Sequence, residues 1–387
     1  MMSDEIELSN FINKKFALRK LLTNKAYHES KEAINKDELT IEKEPYIYKI
    51  ISSLAQNLMK CPDIILLDKY ELSDRKKDWS ALVKKNVIVE NEIIIIDTRT
   101  RPGHDILDHH MPHFYDVKNY KGKSVRNVIT QAVLEKALHA NTLMHSTPYK
   151  SEIRRMIIIN AGLGSVTKYR AITSKAIIQY FKSKRVLDPC TGWGGRMLGC
   201  LAAANDTYYL GCEPDKNTAM GLANILADEA IPASDRSRAM ILNKTAEIAF
   251  IDDISMQEPF DMILTSPPYF NLEMYTDETN QSTTSYTKWD DWVEKWLKPV
   301  VINSLARLKP EGVSCWSVKN FKSDKVYALA DATKKIHADA GWTLVKVVTM
   351  TGSARPGLKK KEPHDEAKKE KVKQKLSEEE TFCFKRI

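Results

Sequence analysis

The sequence predicts an α/β fold in which an open, mostly parallel sheet fills the chain from about residue 126 onward, preceded by an α+β extension. Three observations predict it. Short apolar runs recur at intervals that a helix would fill, which is the signature of βαβ units. The first of these runs ends in a glycine-rich turn, DPCTGWGG, and the fourth ends in a rigid turn, TSPPY.

The elements follow in chain order. From Met1 to about Asp97 the chain is rich in Lys and Glu, and Phe11, Leu18, Leu21 and Leu22 have helical spacing. A β-hairpin is expected over Val87 to Val89 and Ile93 to Ile96, turning near Glu90-Asn91. Arg99 to Asn127 is rich in His, Pro, Asp and Gly and reads as loop, with a domain boundary near Val125. Beyond it, strands are expected at Arg185 to Asp188, Tyr208 to Glu213, Met240 to Asn243 and Asp261 to Thr265. Helices are expected at Gly195 to Ala204 and Thr218 to Ala230 between them, and later strands at Gly312 to Val318 and Trp342 to Met350. Thr381 to Lys385 alternates like a final edge strand. Two regions, 1–125 and 126–387, are therefore expected, which suits a chain of 387 residues when domains usually run to about 100–200.

Composition removes several classes of function. Hydrophobic residues at 43% and charged residues at 28% argue against disorder and collagen-like repeats. Apolar runs such as Ile93 to Ile96 are far short of the roughly 20 residues of a membrane span, and Met1 to Asn10 lacks the features of a secretory signal. Six scattered cysteines form no C-x-x-C pair, so neither a disulfide framework nor a zinc site is expected, and the chain reads as reduced and cytoplasmic. No metal is expected at His104, His109, His110 and His113 either, which lack partner cysteines and a fixed spacing. A net charge of +8 mildly favours an anionic partner such as nucleic acid. Gly352 to Lys375 carries nine Lys/Arg against four acids; Lys359, Lys360 and Lys361 are its candidate phosphate contacts, with a solvated surface as the plainer reading.

The chemistry concentrates in two loops. In DPCTGWGG, Gly192, Gly194 and Gly195 let backbone turn tightly and approach a ligand, and Glu213 lies where an acid can hydrogen-bond ribose hydroxyls. Taken alone, a nicotinamide dinucleotide site would look similar. TSPPY follows the fourth strand, and in a parallel sheet ligands bind beyond the carboxyl ends of the strands. Both loops should therefore open onto one edge.

These paired motifs resemble those of the S-adenosylmethionine-dependent amino-methyltransferases that act on DNA. The cofactor motif D-P-x-x-G-x-G is matched by Asp188, Pro189, Gly192 and Gly194, and the catalytic motif by Ser266, Pro267, Pro268 and Tyr269. The resemblance covers about Ser146 to Ile387 and is greatest to bacteriophage-type enzymes. It implies a Rossmann-like class I methyltransferase fold with a seven-stranded sheet, S-adenosylmethionine as cofactor and double-stranded DNA as partner. The Ser form of the motif is similar to enzymes of cytosine N4; adenine N6 remains the alternative.

What the resemblance implies for residues can be stated one by one. An exocyclic amino nitrogen is a poor nucleophile because its lone pair is delocalised, and the Ser266 side chain and Pro267 carbonyl would accept its hydrogens. Tyr269 would stack on a base flipped from the duplex, and Phe270 would wall the pocket against the nucleic acid or simply pack. Asp188 is expected near the methionyl end of the cofactor, and Thr191 and Gly195 of the same loop are expected among its contacts. Glu213 is expected at the ribose and Glu247 at the adenine amino group; Thr167 and Lys168 match a cofactor-side motif before the first strand. Asn271 to Tyr286 is polar enough to cover the base.

Other features read as structure. Cys190 sits inside the cofactor loop rather than after the fourth strand, so packing is its expected role, and Trp289, Trp292 and Trp296 share a helical face suited to a core, with Pro299 kinking that helix. The rival functions are methylation of RNA or of a protein glutamine amide, and nucleic-acid binding on a methyltransferase scaffold without catalysis.

Overall fold

The computed structural model describes residues 45–90, 93–95, 100–143, 150–163, 166–349 and 380–386. The chain divides into two compact units: Met1–Lys69 with Pro112–Val166, and Tyr70–Met111 with Thr167–Ile387. A stretch well before Val125 thus contributes to the second unit. Phe11, Leu18, Leu21, Leu22 and the whole of Gly352 to Lys375 lie outside the described residues. Among the described residues no helix is long and apolar enough to cross a membrane.

The first unit is helical. Helices Pro45–Lys60, Gln131–Leu143 and Lys150–Asn160 enclose a core of Ile51, Leu58, Leu134, Leu138, Ile153 and Ile157. Arg154 is buried there because every direction it faces is satisfied: its guanidinium pairs with Asp68 at 2.6 Å and donates to the Ile65 carbonyl at 2.8 Å.

The second unit is built on a seven-stranded sheet. Its strands are β1 (Arg185–Asp188), β2 (Tyr208–Cys212), β3 (Ala239–Leu242), β4 (Phe260–Thr265), β5 (Leu308–Val318), β6 (Trp342–Thr349) and β7 (Glu380–Arg386). Their order is β6-β7-β5-β4-β1-β2-β3. β1 pairs in parallel with both β2 and β4, β2 with β3, and β4 with β5, whereas β7 runs antiparallel to both its neighbours. This is the class I methyltransferase topology that the motifs imply. The expected hairpin forms as Ile88–Glu90 against Ile93–Ile95.

One strand departs from expectation. β7 is not an edge strand: it inserts between β5 and β6, with Phe382 opposite Trp316 and Cys383 opposite Cys315. Thr381 to Phe384 are all buried, so the alternation read from TFCFK is not an exposed face. Between Phe260/Leu308 and Met262/Val313 the β4–β5 register is irregular, which accommodates Pro310 and Gly312 in a strand.

The core beneath the sheet carries a polar chain. His337 Nδ1 donates to the Thr333 carbonyl at 2.8 Å, leaving Nε2 to accept from Ser314 at 3.0 Å, and Ser314 in turn accepts from the Trp316 indole at 2.9 Å. Burial holds His337 at about 4, below its ordinary 6.5. Between those values the unfolded chain binds the proton first, so stability is lost as pH falls from about 6.5 toward 4. Urea midpoints measured across that range should drop less steeply in His337→Gln than in the wild type. Parallel pH curves for the two would show that another group carries the acid sensitivity.

Candidate active site

The loop after β1 is shaped by what its glycines leave out. Gly194 has φ +85°, and a Cβ there would meet Leu222 Cδ2 at 2.7 Å. At Gly195, which opens the helix Gly195–Leu201, a Cβ would lie 1.9 Å from the Tyr169 carbonyl oxygen. The segment 167–170 is therefore pressed against this loop. Thr167 is exposed, and Lys168 is buried in an ion pair with Asp108. Tyr169 lies under the Arg196 guanidinium at 5.0 Å and accepts from Ser317 at 3.2 Å.

Asp188 ends β1 fully buried, and its carboxylate is taken up by donors of this chain. It accepts from Tyr209 Oη at 2.6 Å, Thr265 Oγ1 at 2.7 Å, Arg196 Nε at 2.7 Å and the Cys190 amide at 3.2 Å. Those bonds join the ends of β1, β2 and β4 to the glycine loop. The residue thus braces the loop instead of offering a free oxygen at the methionyl end. Arg196, which sequence reasoning missed, neutralises it and also donates to the carbonyls of Cys190 and Thr191. An Arg directly after the last loop glycine was the available signal.

Glu213 follows β2 and faces the same loop. Its Oε2 accepts from the Gly192 amide at 2.9 Å and its Oε1 from the Asp215 amide at 3.0 Å, so each oxygen keeps acceptor capacity for a further donor. Burial pushes its carboxyl up to about 7. Thr191 closes the loop onto β2 through its amide and the Cys212 carbonyl, at 2.9 Å. Glu247 lies at the start of Ala246–Asp252, where its Oε2 is buried without a hydrogen-bond partner. Cys190 packs against the hydrophobic core, and burial followed by Asp188 drives its thiol well above the ordinary range, as suits a packing residue rather than a nucleophile.

The turn after β4 meets this loop directly. Thr265 donates to Asp188 across 77 positions of sequence, placing Ser266, Pro267, Pro268 and Tyr269 at the same carboxyl edge as Gly192 to Gly195. Pro267 and Tyr269 are buried, Ser266 and Pro268 half-buried. The Tyr269 ring stands edge-on to Phe321 at 5.4 Å.

Phe270 has a different place from the nucleic-acid wall expected of it. It adopts φ +38°, a left-handed conformation that an aromatic residue rarely takes, and is 4% exposed. Trp289, Trp292 and Tyr327 surround its ring at 5.5, 5.7 and 5.3 Å. That packing holds a strained turn in place. The tryptophan stripe is core, as expected: Trp292 stacks on Trp289 at 5.5 Å and on Trp296 at 4.8 Å. A π-helical turn at Val293–Leu297 precedes Pro299, absorbing the amide that proline lacks.

Elsewhere His110 pairs with Asp228 at 2.7 Å and His109 accepts from the Tyr70 amide at 3.1 Å. Among the described residues no group of three or more His, Cys, Asp or Glu side chains could hold a metal. Lys359, Lys360 and Lys361 lie outside the described residues.

A family model described as DNA methylase matches residues 260–379, the stretch that begins with β4 and its TSPPY turn. No curated protein matches the chain. Among solved structures, the chain is similar to the O-methyltransferase TomG from Streptomyces achromogenes, in complex with SAM: 13% identity over 59% of this chain and 84% of that one, TM-score 0.35. A putative rRNA methylase from Clostridium thermocellum shares 9% identity over 57% and 98%, TM-score 0.35. An O-methyltransferase from Bacillus cereus, in complex with SAH, shares 11% over 65% and 89%, TM-score 0.35. The fold is read from the strand order of the sheet, and these distant likenesses say nothing of the substrate.

Proposed function

We propose that the protein transfers a methyl group from S-adenosylmethionine to an exocyclic amino group of a DNA base, cytosine N4 first, with the base flipped out of the duplex. The observation that carries this reading is the Thr265–Asp188 hydrogen bond, which draws the glycine loop and the Ser-Pro-Pro-Tyr turn to one rim. The DNA methylase match over the same turn supports DNA as the substrate.

The residues present fit the cofactor. The unused acceptor capacity of Glu213 suits a ribose diol, and the buried, unpartnered Glu247 Oε2 suits the adenine amino group. The glycine loop, held by Asp188 and Arg196, would lie along the methionyl part, with exposed Thr167 beside it. Bound there, S-adenosylmethionine supplies an activated sulfonium methyl group. The chain does the rest: the Ser266 side chain and Pro267 carbonyl accept hydrogen bonds from the amino group, which returns lone-pair density to nitrogen; as the N–C bond forms the S–CH3 bond would break to leave S-adenosylhomocysteine, and the surplus amino proton would pass to solvent. Two successive prolines hold that carbonyl without reorganisation. Tyr269 stacks on the extruded base. Ser266, in place of Asp or Asn, favours cytosine over adenine by resemblance.

The test incubates the protein with labelled donor and unmodified duplex DNA, then digests to nucleosides. N4-methyl-2′-deoxycytidine is the expected product; N6-methyl-2′-deoxyadenosine would move the reading to adenine, and no methylated nucleoside from DNA would end it. Tyr269→Ala should raise KM for DNA about tenfold, the scale of one lost stacking contact, and leave cofactor affinity unchanged. An unaltered KM would remove Tyr269 from base capture.

A further inference from the structure

The segment from Asn271 to Tyr286 leaves the Ser-Pro-Pro-Tyr turn and returns to the cofactor side of the sheet. It is fastened at its start, where the Asn271 amide donates to Asp324 at 2.9 Å and its carbonyl accepts from Ser323 at 2.7 Å. Four residues on, the Tyr275 ring packs against Trp193, centroids 6.1 Å apart, and its hydroxyl donates to Glu273. Trp193 stands between Gly192 and Gly194 in the loop after β1. Further along, the Asn280 amide donates to the Pro214 carbonyl at 2.8 Å, directly after Glu213. The Trp292 indole then secures Ser282 at 3.0 Å. One strap thus reaches both cofactor loops, the one after β1 and the one after β2, while its origin is the substrate turn.

Resting on the methyltransferase reading above, we propose that Tyr275 and Asn280 are positioning residues that couple occupancy of the cofactor loops to the geometry of the Ser266–Tyr269 turn. A donor that settles between Gly192 and Glu213 orders Trp193 and Pro214; through Tyr275 and Asn280 that order reaches the turn that receives the base. Burial, then Glu273, raise the Tyr275 phenol well above its ordinary range. By linkage, cofactor and DNA must each tighten the other's binding by the same factor.

The experiment measures affinity for a mixed-sequence duplex by fluorescence anisotropy, with and without saturating S-adenosylhomocysteine. Calorimetry of S-adenosylhomocysteine and melting temperatures accompany it. In the wild type, S-adenosylhomocysteine should tighten DNA binding about fivefold or more. Tyr275→Ala and Asn280→Ala should each bring that ratio toward one while melting like the wild type. Tyr275→Phe, which keeps the ring on Trp193, should retain it. An undiminished ratio in both alanine variants, or a wild-type ratio of one despite S-adenosylhomocysteine binding, overturns the coupling and leaves the methyltransferase reading standing. A wild type that fails to bind S-adenosylhomocysteine overturns that reading as well.

Discussion

Replacing Arg196 with methionine is expected to cost about 3–5 kcal/mol of stability, the penalty for leaving one partner of a buried ion pair unpaired. Arg196 is 4% exposed and Asp188 fully buried, so the stranded carboxylate could not recover its solvation. Burial alone would lower the guanidinium's pKa, yet Asp188 beside it outweighs that and raises it, a sign that the pair is held in the charged form. The damage should not stay local. Tyr209 and Thr265 aim their hydroxyls at the same carboxylate, and a displaced Asp188 would loosen β2 and β4 from the glycine loop together. Urea unfolding checks the magnitude, and Asp188→Asn combined with Arg196→Met should recover part of the loss, because no naked charge remains. A single Arg196→Met variant within about 0.5 kcal/mol of wild type, the range of ordinary surface substitutions, would contradict the buried-pair account.

The sequence made the scaffold legible wherever local pattern and tertiary role agree. Val186, Leu187, Leu210 and Ile263 are apolar because the strands are covered on both faces, and DPCTGWGG and TSPPY announce themselves by residues whose backbone behaviour is special. The role of Asp188 was harder to read. The motif marks the position, but whether the carboxylate meets a ligand or its own chain depends on Arg196, Tyr209 and Thr265, which come together only on folding. Phe270 stayed open between pocket wall and packing for a related reason: adjacency to the Ser-Pro-Pro-Tyr turn suggests an exposed role, whereas a left-handed backbone turns its ring into the Trp289–Trp292–Tyr327 cluster. The place of β7 between β5 and β6 could not be seen in seven residues, since strand order is a non-local property. The reach of the Asn271–Tyr286 segment back to Trp193 and Pro214 is non-local in the same way; its polar composition showed only that it was a loop.

Cofactor affinity should rise with pH up to about 7 and then level off, with Glu213 as the group responsible. Burial pushes its carboxyl up first, and the charges of Asp215 and Asp188 add to that, against the Asp215 and Gly192 amides, which favour the ionised form. Hydroxyl donors of a ribose bind the carboxylate better than the acid, so binding must expel the proton wherever Glu213 still holds it. Below about 7 the affinity should therefore fall by up to tenfold per pH unit, with about one proton released per cofactor bound. The sign for folding is opposite. Because the folded carboxyl titrates near 7 and the unfolded one near its ordinary 4.5, the folded chain binds more protons between these values, and Glu213's contribution to stability declines as pH rises across that window. The same titration thus weakens the unliganded fold while it readies the site, a pairing that ordinary acid denaturation does not produce. Glu213→Gln should flatten both dependences and weaken S-adenosylhomocysteine about 10- to 100-fold at neutral pH, the scale of a lost charged hydrogen bond. Calorimetry in buffers of different ionisation enthalpy reads the proton count directly. A wild-type affinity that stays constant from about pH 5.5 to 8 would mean that Glu213 does not hold the ribose.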